Sequence, residues 1–178
     1  MYTTNYLSPI GSIMLASNGE YITGLWLEGQ KYHGGMAKNN FIENDNLSIF
    51  VTAKNWLKKY FNKQKPSISS LPILLIGGNF RKEVWTILSK IPYGTCVTYG
   101  DISKKIAFKM NKPSMSSQAV GGAVGRNPIS IIIPCHRVVG ANGSLTGYAG
   151  GIDKKFRLLK HEGVDMSKLH IPLRGTAL

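Results

Sequence analysis

Five residues, Ile129-Ser130-Ile131-Ile132-Ile133, stand between Pro128 and Pro134, and a run so rich in β-branched side chains has to be buried against other elements. It predicts a core strand, which Pro134 must end because it has no N–H for the ladder. Directly after it comes Cys135-His136-Arg137. A thiol is thereby set on a tight turn at the mouth of a buried element, partly shielded from water. An imidazole and a guanidinium follow it, neighbours of the kind that favour thiolate. Adjacency alone does not bring them together, since consecutive side chains on a strand point to opposite faces. A small buried hydrophobe is the plain alternative for Cys135.

The rest of the chain reads as two units. Residues Ile13 to Leu27 alternate around Asn18-Gly19, a hairpin signal, and Leu47, Phe50, Val51, Trp56, Leu57, Tyr60 and Phe61 recur at helical spacing from Asn46 to Asn62. A sheet with a helix laid on it follows. The segment Asn62-Lys63-Gln64-Lys65-Pro66-Ser67 carries turn formers without apolar period, and starts the connection between a domain over 1–72 and a second over 73–178. The second opens with a helix capped near Asn79, in which Phe80, Val84, Ile87, Leu88 and Ile91 share a face, ended by Pro92 and Gly94. Thr98 caps a short helix over about 100–108. Ser116 introduces another over about 117–125, halted by Asn127-Pro128. Two short helices with a polar link make a helix-turn-helix pattern, although the same periodicity also suits plain packing. The second of them is built of Ser117, Ala119, Gly121, Gly122 and Ala123, small residues that fill a core poorly and let a backbone come close to something. A last helix over about 152–161 turns Ile152, Phe156 and Leu159 inward and stops at Gly163. Glu162 then lies at the negative end of a helix, where a compensating partner is needed, and a histidine suits. The fold class is thus α/β of the α+β kind, a small sheet-plus-helix domain followed by a mainly helical one.

The net charge of +13 points to a polyanion, because clustered lysine and arginine release counterions on meeting one. From Leu71 onward 15 Lys or Arg stand against 5 Asp or Glu, whereas residues 1–70 hold 7 against 4. The basic half is the half with the thiol. General solubility is the alternative use of such charge. No apolar run approaches the roughly 20 residues of a membrane span, and Met1-Tyr2-Thr3-Thr4-Asn5 lacks a signal pattern, so a cytoplasmic protein with both Cys96 and Cys135 reduced is expected. The scattered histidines and cysteines offer no metal cage. Neither metal nor cofactor is expected.

The stretch Pro134-Cys135-His136-Arg137-Val138, preceded by Asn127-Pro128 and the isoleucines, resembles the active-site signature of the O6-alkylguanine-DNA alkyltransferases. The resemblance extends in family order over Ile91-Pro92-Tyr93-Gly94, Thr98-Tyr99-Gly100-Asp101-Ile102, Ala119-Val120-Gly121-Gly122-Ala123, Gly147-Tyr148-Ala149-Gly150-Gly151 and Leu158-Leu159-Lys160-His161-Glu162-Gly163. The first third matches more loosely, through Ser8-Pro9-Ile10-Gly11 and Gly24-Leu25-Trp26. The resemblance implies a ribonuclease H-like first domain and a DNA-binding second domain acting on double-stranded DNA as a monomer. It also implies irreversible, single-turnover transfer of an alkyl group from O6-alkylguanine, and less so O4-alkylthymine, to Cys135 in a flipped-out nucleotide. A lesion sensor without turnover and a Cys-His thiol hydrolase are the other classes to weigh.

By the same resemblance His136 deprotonates Cys135 through a water, Glu162 orients His136, and Tyr99 donates a proton to the purine as O6 leaves. Asn127 joins the recognition helix to the active-site segment. Main-chain groups of Cys135, Val138 and Ala149 complete a guanine pocket beside Tyr148. Ser117, Gln118, Ala119, Gly121 and Arg126 are the implied DNA contacts in the minor groove. The chain departs from the family at Gln118, where many members insert an arginine into the space left by the flipped nucleotide. Gln hydrogen-bonds the orphaned base without bringing charge, which predicts that flipping persists with weaker DNA affinity or less stacking at the gap, the alkyl-transfer chemistry being intact.

Overall fold

The computed structural model describes residues 1–35 and 40–172. Its contacts divide the chain into two units, Met1–Ile76 with Pro128–Ile132, and Gly77–Asn127 with Ile133 onward. The fold is mixed α/β, with the first unit built on a sheet.

That sheet has the order β3-β2-β1-β4. β1 (Tyr2–Ser8) and β2 (Gly11–Ser17) pair antiparallel from Tyr2↔Ser17 to Ser8↔Gly11. β3 (Ile22–Leu27) continues antiparallel to β2, and β4 (Ile42–Glu43) lies parallel to β1. The β2–β3 turn is stabilised by Asn18, whose Oδ1 accepts from the backbone of Glu20 at 3.1 Å and Tyr21 at 2.9 Å, the local bonding that suits Asn to turns. α1 (Ser48–Phe61) packs on the sheet with Ile49, Phe50, Ala53, Trp56, Leu57 and Tyr60 buried. Burying each of the large ones contributes about 1.5–3 kcal/mol. Val51 of the expected apolar face is instead exposed.

All six residues of β3 are buried, and its outer edge is covered by segments remote in sequence. Ile22 N donates to Pro72 O and Leu74 N to Ile22 O, each at 2.9 Å; Leu25 N donates to Pro128 O and Ser130 N to Leu25 O, also at 2.9 Å. Residues 73–76 therefore count with the first unit, so the division falls past the 72/73 boundary. For the same reason 128–132 join it.

The isoleucine run is buried but is not a strand. Only Ile129 forms a bridge, to Leu25. Ile132 N then donates to Ser130 O and Cys135 N to Ile133 O, both at 2.8 Å, and Ile131 takes φ +68. These turns break any ladder after one residue. A β-branched residue in the left-handed region costs roughly 1–2 kcal/mol.

The second unit holds α2 (Asn79–Leu88), α3 (Tyr99–Lys109), α4 (Ser117–Gly125) and α5 (Ile152–His161). α2 begins one residue earlier than a cap at Asn79 requires. Gly78 is the cap residue and gives no side-chain bond. Thr98 caps α3 in a full capping box with Asp101, and Ser116 Oγ caps α4 by accepting from Gln118 N and Ala119 N. The three helices pack together, and Trp85 Nε1 donates to Ala123 O at 2.9 Å. A short parallel pair, β5 (Val97–Thr98) with β6 (Val138–Val139), ties the start of α3 to the segment that follows Cys135. α5 ends in a Schellman turn: Gly163, at φ +78, donates to Lys160 O at 3.1 Å and Val164 N to Leu159 O at 3.1 Å. This motif fixes Glu162 as the helix cap residue.

Candidate active site

Cys135 begins a 3₁₀ turn, Cys135–Arg137, and is 4% exposed. The turn, not a strand, decides where the three side chains go. It places His136 and Arg137 together on Glu162. His136 Nε2 lies 2.8 Å from Glu162 Oε1, with both side chains buried. Arg137 grips the same carboxylate with two prongs, Nε to Oε2 at 2.8 Å and Nη2 to Oε1 at 2.9 Å, while Nη1 donates to Ile91 O at 2.5 Å. Gly94 N adds a fourth donor, to Oε2 at 3.1 Å. The partner expected for a carboxylate at a helix end is therefore double, and Arg137 serves the glutamate.

The electrostatics follow. Burial pushes the Glu162 carboxyl up, but the His136 hydrogen bond and the Arg137 guanidinium outweigh it and hold it well below the usual carboxylate range. His136 is held below its ordinary value by burial, against the opposing pull of Glu162. At neutral pH the site thus holds a carboxylate, a guanidinium and a neutral imidazole. With Nε2–H donated to Glu162, Nδ1 carries the lone pair, and this buried nitrogen has no hydrogen-bond partner among the described residues. A base with a fixed tautomer results.

Asn127, buried at the end of α4, donates through Nδ2 to Ile133 O at 2.7 Å and to Cys135 Sγ at 3.0 Å. Tyr99 is the first residue of α3. Its hydroxyl donates to Thr146 O at 3.2 Å and approaches Gly147 O at 3.4 Å, and burial, then the nearby Cys135, raises its pKa strongly. The phenol stays protonated. Gly147 allows this approach, since a Cβ there would sit 2.7 Å from the Tyr99 oxygen. Val138 and Tyr148 are buried, Ala149 is half-buried, and the Tyr148 ring meets the His136 ring edge-on at 6.5 Å.

Ser117, Gln118, Ala119 and Arg126 are all exposed on or just after α4, with Gly121 half-buried beneath the Tyr99 ring. The buried face of the helix is Val120, Ala123 and Val124. Its small residues therefore do leave one side of the backbone open to approach.

Lys155 was not legible as a site residue. It is wholly buried on α5, donates to Val138 O at 2.6 Å and Thr146 O at 2.7 Å, and lies within electrostatic reach of Cys135. Burial lowers its pKa to about 8, opposed by Cys135 and Cys96. The available signal is positional, for Lys155 stands three residues after Ile152 and four before Leu159 on the inward stripe. No group of three or more metal-binding side chains lies together among the described residues.

Residues 1–75 match the family model for the ribonuclease-like domain of 6-O-methylguanine DNA methyltransferase, and residues 79–164 match that for its DNA binding domain. A methylated-DNA–protein-cysteine methyltransferase of Haemophilus influenzae is 39% identical over 92% of this chain and 87% of its own. One of Methanosarcina acetivorans is 43% identical over 92% of this chain and 99% of its own. Among solved structures, a Mycobacterium tuberculosis OGT in complex with DNA superposes with a TM-score of 0.79 at 35% identity, covering 95% of each chain. The chain belongs to the 6-O-methylguanine DNA methyltransferase family.

Proposed function

We propose that this protein repairs DNA by direct reversal, as a methylated-DNA–protein-cysteine methyltransferase. It takes the alkyl group of O6-alkylguanine, and less readily of O4-alkylthymine, from a flipped-out nucleotide of duplex DNA onto Cys135, once per chain. The observation that carries this reading is the single unit holding a shielded thiol, the His136–Glu162 pair with Nδ1 left to accept a proton, and α4 with an open face of small residues.

Alkyl transfer from an ether oxygen needs a strong nucleophile, protonation of the leaving purine and exclusion of bulk water. His136 Nδ1 takes the Cys135 proton through a bridging water, and Glu162 stabilises the imidazolium that forms. The thiolate attacks the alkyl carbon, the S–C bond forms as the C–O6 bond breaks, and the electron pair passes into the purine. Tyr99 donates its hydroxyl proton there, and the proton held by His136 restores the phenol. Asn127 holds Sγ in line, and the Lys155 ammonium favours the negative sulfur. Main-chain groups of Cys135, Val138 and Ala149, beside Tyr148, frame the guanine. Ser117, Gln118, Ala119, Gly121 and Arg126 meet the minor groove, where little room is left for large side chains.

The thioether, unlike a disulfide, is not cleaved by thiol exchange, so the protein is a reagent consumed in use. It works as a monomer in the cytoplasm, where thiols stay reduced. Duplex DNA carrying labelled O6-methylguanine tests the reading: label should move to protein with a ceiling of one group per chain. Repeated turnover would favour a thiol hydrolase, and binding without transfer a lesion sensor.

A further inference from the structure

Apolar burial explains why residues 128–132 lie within the first unit, but it does not say which isoleucine goes where. Only a directional bond sets that register, and Ser130 is the single polar residue of the run from Ile129 to Ile133. It is 1% exposed, and its polar groups are all engaged. Its N donates to Leu25 O at 2.9 Å, its O accepts from Ile132 N at 2.8 Å, and its Oγ donates to Gln30 Oε1 at 3.0 Å. Gln30 is itself buried and is held from β3, for its N donates to Leu27 O at 3.0 Å while Oε1 accepts from Leu27 N at 3.1 Å. An amide and a hydroxyl are costly to bury among apolar side chains unless they are bonded. The pair is thus a poor choice for filling space and a good one for fixing a position.

The backbone that this pair fixes is strained. Ile132 N bonds back to Ser130 O across Ile131 at φ +68, a three-residue turn of the rare, strained kind. Among the described residues Ile131 is the only β-branched one at positive φ, and such a conformation persists only where the surroundings over-determine it. Three residues on, the chain closes a second three-residue turn across Pro134, at φ −80 and ψ 64, where Cys135 N donates to Ile133 O at 2.8 Å. This one is of the relaxed kind. Ser130 therefore stands at the head of two tight turns that end at the thiol. Asn127 grips the far end of that path, at Ile133 O and Cys135 Sγ; Gln30 grips the near end. Released there, the Ile131 turn would open toward ordinary extended backbone, and the path to Cys135 would lengthen.

We propose that Gln30 and Ser130 are positioning residues for alkyl transfer, whose bond holds the Ile131 turn closed and so fixes where Cys135 sits. This rests on the DNA-repair reading above and deepens it, by giving the first domain a part in the reaction. Gln30→Met keeps the side-chain length without the acceptor, and Ser130→Ala deletes one hydroxyl; both are made in the full chain, singly and together, and measured far below their melting temperatures. Each single variant should take the alkyl group about tenfold more slowly, from duplex O6-methylguanine and from free O6-methylguanine base alike, as a misplaced reacting group does. Duplex affinity and the pH dependence of the rate should match the parent's, because α4, His136 and Glu162 are untouched. The double variant should be no slower than the slower single one, since the two changes remove one shared contact. Amide hydrogen exchange at Ile132 and Cys135 should quicken in every variant. Ser130→Ala, the smaller change, stands alone where Gln30→Met fails to fold. Parent-like rates in the single variants, slowing that multiplies in the double one, or a loss of duplex affinity as large as the loss of rate would overturn the proposal. A parent protein that takes no alkyl group from either substrate would overturn the repair reading instead; parent-like exchange at Ile132 and Cys135 in the variants would then still overturn this one.

Discussion

Glu162→Gln removes one charge from a site where four donors converge on a single buried carboxylate: His136 Nε2, Arg137 Nε and Nη2, and Gly94 N. An amide offers one acceptor oxygen with two lone pairs and turns an NH2 toward the remaining donors. At least two donors are left opposed, and the Arg137 guanidinium, itself buried, loses its counter-charge. Breaking a buried pair from one side costs about 3–5 kcal/mol, a fall in melting temperature of roughly 6–20 °C for a chain of this size. Urea unfolding should show the loss as a lower midpoint at unchanged slope. Adding Arg137→Met should recover much of it, because the second change removes the uncompensated charge. The parent should also lose stability as pH falls below 4.5, the ordinary value from which Glu162 is depressed. A group with a lowered folded pKa contributes above its unfolded value and stops contributing as the folded form takes up its proton. The variant should lack that part of the acid dependence. A Glu162→Gln penalty under about 1 kcal/mol, or a double variant no more stable than the single one, would show that the carboxylate does not hold this buried cluster together.

The remaining predictions concern the groups around Sγ. Asn127→Ala deletes the bonds to Ile133 O and Cys135 Sγ; Ile133 O keeps the bond from Cys135 N, so the loss should cost about 0.5–1.5 kcal/mol in urea unfolding and slow alkyl transfer from free base as well as from DNA. Gly147→Ala puts a methyl group 2.7 Å from the Tyr99 oxygen at φ +71, so single-turnover transfer should fall about tenfold or more, as a misplaced reacting group does. Lys155 bears a pKa lowered to about 8 from 10.5. The unfolded chain binds more protons between those values, so stability should rise with pH across that window, and Lys155→Met should flatten the rise in a melting series.

Features set by neighbours in sequence were legible: the Thr98 and Ser116 caps, the Gly163 stop, the hairpin around Asn18-Gly19, and the pairing need of Glu162. Each depends on bonds made within a few residues. The isoleucine run misled because β-branched residues report burial as well as pairing. Ile129 does reach an edge of the sheet, but the positive φ of Ile131 is a property of the closed turn that composition does not signal. Arg137 looked like a neighbour for the thiol because it is near in sequence. Its partner is 25 residues away, and only the 3₁₀ turn at Cys135 aims it there. Lys155 remained hidden because a lysine among surface lysines reads as solvated until its place on the inward stripe of α5 is weighed.

Peptide mapping of the protein after reaction with duplex O6-methylguanine decides whether Cys135 is the acceptor. Methyl should lie on the Cys135 sulfur alone, at a stoichiometry that saturates with protein, and Cys135→Ser should transfer none although it still binds DNA. Methyl on Cys96, or transfer surviving in Cys135→Ser, would contradict that assignment.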